Sequence, residues 1–160
     1  MPESLPQKPP KSHKFRLGAF EFTCVWPVAF QDEGGNGDSL CFTVDADIDG
    51  DGNREWRSLL VGDAEHEEVS QLLSAGLIDG VDVYKVGHHG SKNALTQDQA
   101  AALSPQVSLC SGGARNRYGH PAASAVESLE RAGSAVMRTD EHGDVACRFA
   151  KDHISVETLR

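Results

Sequence analysis

No apolar stretch in this sequence approaches the ~20 residues that a membrane-spanning helix needs. Close cysteine pairs are also missing. Cys24, Cys41, Cys110 and Cys147 are dispersed without a CxxC, which argues against a thiolate zinc site. Each cysteine sits in a strand-like apolar run and reads as a small, reduced, buried hydrophobe, although the even number also permits two disulfides. Positive charge is scarce: 15 Lys and Arg face 24 Asp and Glu, for a formal net charge of −9. That balance excludes nucleic-acid binding driven by charge over the whole surface and leaves only a local basic patch to do so. Residues 1–14 are rich in Pro and Lys and lack a hydrophobic core region. They read as a flexible lead-in rather than a secretory signal, so secretion finds no support.

What is present is ordinary for one globular domain or part of one: 160 residues, 39% hydrophobic, with 16 glycines. Residues 15–26 are aromatic and β-branched and read as a strand broken by Pro27. Residues 31–38 (QDEGGNGD) have turn chemistry and 39–44 resume as strand. The acidic, glycine-rich 45–55 then leads into a strand over 56–61, so these pieces form a long hairpin with a polar tip. After Gly62-Asp63, residues 64–77 carry Val69, Leu72, Leu73 and Leu77 at helical spacing. Strands follow at 81–86 and 107–110. Between them Thr96 opens a helix with Gln99 completing a capping box, and Pro105 closes it. A helix over 121–132 and closing strands at 135–137, 145–149 and 154–156 complete an α/β pattern. No internal repeat is visible.

Three strand ends collect the chemistry: Gly62-Asp63, then Gly87-His88-His89-Gly90-Ser91, then Ser111-Gly112-Gly113 running on to His120-Pro121. Ligands of open α/β sheets bind at the carboxyl ends of strands. Asp63 taken alone reads as a helix N-cap. The His88-His89 pair is harder to assign to packing, because nothing apolar needs filling between glycines at a strand end. Histidine is the commonest metal ligand and the usual acid or base near neutral pH. Neighbours on an extended chain point to opposite sides, so either one histidine holds a metal while the other meets substrate, or one is simply buried and hydrogen-bonded. His120 lies on a glycine-rich loop before a helix and reads alone as a loop residue. His13, His66, His142 and His153 read as surface histidines. The alternating Asp45, Asp47, Asp49 and Asp51 resemble the start of a calcium loop. The twelfth position from Asp45 or Asp47 is Trp56 or Ser58 instead of Glu, so a solvated hairpin tip is expected.

Taken together, LLVGDAEHEEVSQLL (59–73), VDVYKVGHHGSKNA (81–94), SLCSGGARNRYGHP (108–121) and RTDEHGDV (138–145) resemble the C-terminal half of the metallo-β-lactamase-like domain of the ComEC family, the DNA-uptake competence proteins. The likeness covers residues 15–150, and HHGS with NRYGHP is its most specific part. It implies an αββα sandwich, here its C-terminal half, a mixed sheet with helices packed on one face over residues 15–160. It further implies metal-assisted phosphodiester or nuclease-like hydrolysis of DNA with zinc or manganese, in which the ion activates water and polarises the scissile group. Asp63 then matches the metal-bridging Asp, and the histidine pair supplies the last ligand, with His89 favoured and His88 facing substrate. His120 would contact phosphate or act as general acid. Ser91, Lys92, Arg115 and Arg117 would position substrate phosphates. The resemblance also implies a membrane-associated whole protein, of which this is a soluble domain.

One departure stands out. The superfamily places its first metal site on an HxHxDH motif, and His13 is the only histidine upstream of Asp63. Asp63 with one or two histidines is too few for a tight dinuclear centre. The expectation is therefore a partial domain that does not turn over nucleic acid alone, with a non-catalytic binding or assembly module as the alternative. A half-sandwich would also expose an apolar sheet face and so favour a homodimer.

Overall fold

The computed structural model describes residues 13–29 and 34–159. Most of the expected lead-in (1–12) and part of the expected turn (30–33) lie outside the described residues. Seven strands lie side by side in chain order: β1 (Lys14–Leu17), β2 (Phe20–Trp26), β3 (Cys41–Ala46), β4 (Trp56–Leu60), β5 (Val83–Lys85), β6 (Val107–Cys110) and β7 (Ala135–Arg138). The first four are antiparallel, and β4 to β7 run parallel. Parallel neighbours need a crossover, supplied in turn by α1 (His66–Ser74), α2 (Gln97–Leu103) and α3 (Ala123–Arg131). A short helix, α4 (Thr139–His142), then leads into a separate antiparallel hairpin of β8 (Asp144–Phe149) and β9 (Ile154–Leu159).

The strand expected over 15–26 is two strands. The chain reverses at Gly18, whose φ of +59° suits glycine, and β1 folds back on β2 so that Phe15 stacks on Phe22 with ring centroids 4.7 Å apart. Both halves carry strand-forming residues, so hydrophobic pattern alone does not reveal the break.

Period-2 alternation gives the sheet two different faces. Leu59, Val61, Tyr84, Val86 and Cys110 point toward Val69, Leu72, Leu103 and Leu129 of the helices, forming one buried core. On the other face sits the β8–β9 hairpin. Trp56 Nε1 donates to the Ala150 carbonyl at 2.6 Å, and Phe20 meets Phe149 edge-on at 5.9 Å. The architecture is α/β, with a mixed sheet and helices packed against it, consistent with an αββα sandwich. All four cysteines are free thiols, Cys41 and Cys110 buried and Cys24 and Cys147 half-buried. Among the described residues no helix is long and apolar enough to cross a membrane.

Candidate functional site

β4, β5 and β6 are parallel neighbours, so the loops that follow them emerge at one edge of the sheet. The first holds Asp63, whose N–H donates to Ser39 Oγ at 3.2 Å and whose carboxylate is half exposed. Asp63 is not the cap of α1. Glu65 takes that place in a reciprocal capping box with Glu68, leaving the Asp63 carboxylate free of the capping duty that its position before a helix suggests.

The second loop is a tight turn over Gly87–Gly90. His88 and His89 are not extended, as the alternation argument assumes; both are left-handed, at φ 43° and 58°. Close packing on either side holds the turn. A Cβ on Gly87 would collide with the Ala64 carbonyl, and one on Gly90, already at φ +80°, would come 2.7 Å from Pro121 Cβ. The His88 N–H donates to the Gly62 carbonyl at 3.1 Å, joining the two strand-end turns. The side chains still diverge. His88 Nδ1 lies 2.8 Å from Glu65 Oε1, and its ring centroid is 5.6 Å from that of His120. His89 Nδ1 lies 2.9 Å from the Ser111 carbonyl, and its Nε2 is 3.6 Å from Asp63 Oδ1. A carbonyl only accepts, so Nδ1 of His89 carries hydrogen, and Nε2 is the ring nitrogen turned toward Asp63.

Glu65 is the hub behind His88. Burial alone would raise its pKa, but hydrogen bonds from His88 and from Ser91 Oγ (3.0 Å) outweigh that and hold it below the usual carboxylate value. Ser91 is buried, and its Oγ also accepts the Asn93 N–H at 3.2 Å. Its hydroxyl thus supports Glu65 from inside the fold.

The third loop is braced by Asn116, which donates to the carbonyls of Gly113 and His120 at 2.9 and 2.7 Å and accepts the His120 N–H at 3.0 Å. Thr139 Oγ1 accepts the Gly112 N–H and donates to the Gly112 carbonyl, both at 2.8 Å. Between this loop and His89 opens a cleft of about 390 Å³ lined by His89, Ser111, Gly112, Gly113, Asn116, Tyr118, His120 and Thr139. Nδ1 of His120 is buried and finds no hydrogen-bond partner among the described residues. Lys92, Arg115 and Arg117 are exposed, and none lines the cleft.

The structure thus gathers Asp63, His88, His89 and His120, and leaves the three cations at the periphery. Glu65, Ser111, Asn116 and Thr139 escape sequence reasoning. Only Glu65 leaves a signal, an ExxE capping pattern immediately after the GD turn. Among the described residues the one group of three or more convergent ligand side chains is elsewhere, at the hairpin tip: Asp47, Asp49, Asp51 and Glu55. Those carboxylates accept from the amides of Ile48, Gly50 and Asn53 and pair with Arg16 and Lys151.

Fold and site define an α/β domain that gathers a carboxylate and three histidines at the ends of parallel strands. Over 98 residues, 61% of this chain, it is 35% identical to ComE operon protein 3 of Bacillus subtilis (strain 168), covering 12% of that protein. Over 102 residues, 64% of this chain, it is 34% identical to Recombination protein 2 of Haemophilus influenzae (strain ATCC 51907 / DSM 11121 / KW20 / Rd), covering 13% of that protein. No protein-family model matches. Over the matched residues the chain is similar to a part of each of these two proteins, and it spans about an eighth of the length of the curated relatives it matches.

Proposed function

We propose that this is the metal-dependent hydrolase domain of a ComEC-like DNA-uptake protein, acting on phosphodiesters of DNA, and that the described residues supply one side of its metal site. The observation that carries the reading is the pairing of His89 with Asp63. One ring nitrogen is anchored on a backbone carbonyl, and the other stands 3.6 Å from a half-exposed carboxylate oxygen. Metal-ligating histidines use that arrangement, in which the second nitrogen's hydrogen bond sets tautomer and aim. The donor set, one imidazole and one carboxylate, suits zinc or manganese. A divalent ion held there would supply Lewis acidity and an activated water.

The chain's own residues divide the remaining work. Glu65, steadied by Ser91, orients His88 toward substrate. His120, 5.6 Å from His88 between ring centroids, is placed to give a proton to a departing oxygen. Lys92, Arg115 and Arg117 attract the phosphodiester backbone to this edge of an otherwise acidic protein. Two ligands fall short of the three that a catalytic zinc takes from protein. The domain over 15–160 is accordingly read as partial, and the described residues alone are expected to bind the ion weakly and to leave DNA uncut. The whole protein is read as membrane-associated.

Calorimetric titration with Zn²⁺ or Mn²⁺ tests the site. Asp63→Ala and His89→Ala should each weaken binding by at least about tenfold, with His88→Ala much less harmful; binding unchanged in both ligand variants would overturn the assignment. A longer form that adds an HxHxDH segment should cut single-stranded DNA, and inactivity with every metal would remove the hydrolase reading. The shortage of ligands itself favours a second reading, a binding or assembly module without metal, and failure of the unaltered chain to retain any ion would support it.

A further inference from the structure

Tyr118 is a large aromatic side chain with no core to fill. It is 74% exposed, yet its ring is not loose: it lies on His120 with centroids 6.0 Å apart and planes 23° from parallel. Asn116 braces the loop beneath it, donating to the carbonyls of Gly113 and His120 and accepting the His120 N–H. One face of the phenol is therefore backed by a histidine of the site, while most of the ring stands open to water at the rim of the cleft. Exposing so much aromatic surface costs free energy that a polar residue at the loop tip would avoid. Arg115 and Arg117 flank it as exposed cations.

We propose that Tyr118 is a stacking platform for an unpaired nucleobase, and that it makes single-stranded nucleic acid the preferred substrate of this site. The inference rests on the phosphodiester reading above and adds to it the form of the substrate. Every base has a π-face, so a lone aromatic platform accepts any of them without reading sequence, while flanking cations follow the backbone. In a duplex both faces of an internal base are already stacked, and the platform has nothing to hold. Backing by His120 sets the ring in place before binding, which limits the ordering cost. It also couples the position of the base to the residue assigned to the departing oxygen.

The test separates base from backbone. Fluorescence anisotropy at low salt would compare the full chain's affinity for a short oligothymidylate, for an abasic strand of equal length and charge, and for a duplex. The base-bearing strand should bind roughly 5- to 150-fold more tightly than the abasic one, the range for one stacked base. Tyr118→Ala should collapse that ratio to about one and leave abasic affinity unchanged, and Tyr118→Phe should retain it. Tyr118 is exposed, so the Ala variant should keep the wild-type melting temperature and remain interpretable. A ratio unaffected by Tyr118→Ala, or no preference in the unaltered chain, overturns the platform. Equal binding of both strands with divalent-ion binding intact removes only the platform. Failure to bind any strand removes the platform and the phosphodiester reading together.

Discussion

Burial pushes the Cys41 thiol up to about 12 and that of Cys110 to about 11. In both, loss of hydration is the main cause. Nearby Cys24 and Glu68 push Cys41 further, whereas Lys85 and Arg138 partly offset the effect at Cys110. A raised thiol pKa means that the folded protein holds its proton more tightly than the unfolded chain. The resulting stability is complete below the unfolded value of 9.0 and drains away as pH rises toward the folded one. The urea midpoint should therefore fall from pH 8 into the alkaline range, and Cys41→Ala should show a shallower fall, whatever its offset from the lost side chain. Equal slopes in the two proteins would refute the argument. At this scale the His88-His89 pair is legible in the sequence because the glycines around it at a strand end exclude most packing roles, whereas Asp63 taken alone reads as a helix cap and stands out only through the family resemblance. Glu65 and Ser111 are not legible, since a carboxylate after a GD turn and a serine after a strand acquire their roles only from the histidines that fold against them.

The turn between β5 and α2 shows what an element adds to its residues. Its two histidines are left-handed and diverge because the backbone is pinned between Ala64 and Pro121, a constraint that joins segments far apart in the chain. Flanking glycines in GHHG hint at a tight turn, but the hint does not say which way each ring points. Gly87→Ala would force Cβ into the Ala64 carbonyl, and Gly90→Ala would add left-handed strain to contacts with Pro121 and Cys110. Each should lower stability by about 1–3 kcal/mol. Gly113→Ala meets nothing within 4 Å and should stay within about 0.5 kcal/mol of the parent. Chemical denaturation measures all three, and equal midpoints for Gly87→Ala and Gly113→Ala would contradict the packing account. Elsewhere the elements were largely readable: the Thr96–Gln99 capping box starts α2 as its spacing predicts. The hairpin of β1 with β2 was not readable, because its partners share one composition and only Gly18 marks the reversal.

At the scale of the whole molecule, the two faces and the edges of the sheet differ in how completely they are covered. Helices seal one face, and the β8–β9 hairpin covers part of the other. Two of the five exposed large hydrophobic side chains among the described residues lie on the outermost strand, where Phe15 is 54% and Leu17 70% exposed. Among the described residues nothing pairs with the outer edge of β1. An unpaired strand edge bearing apolar side chains is a template for another strand, and the occupant that matches it in every residue is β1 of a second copy. Charge acts in both directions. Lys14 and Arg16 on this strand are already paired with Glu21 and Asp47, which softens local repulsion, while a net charge of −9 on each copy opposes approach. Salt screens that long-range repulsion beyond about 8 Å at physiological strength and leaves the apolar contact intact. Sedimentation should consequently show self-association that grows with protein concentration and with added salt. Leu17→Lys should suppress it without changing the melting temperature. A single monomeric species at high concentration and high salt would exclude pairing through β1, as would association that Leu17→Lys leaves untouched.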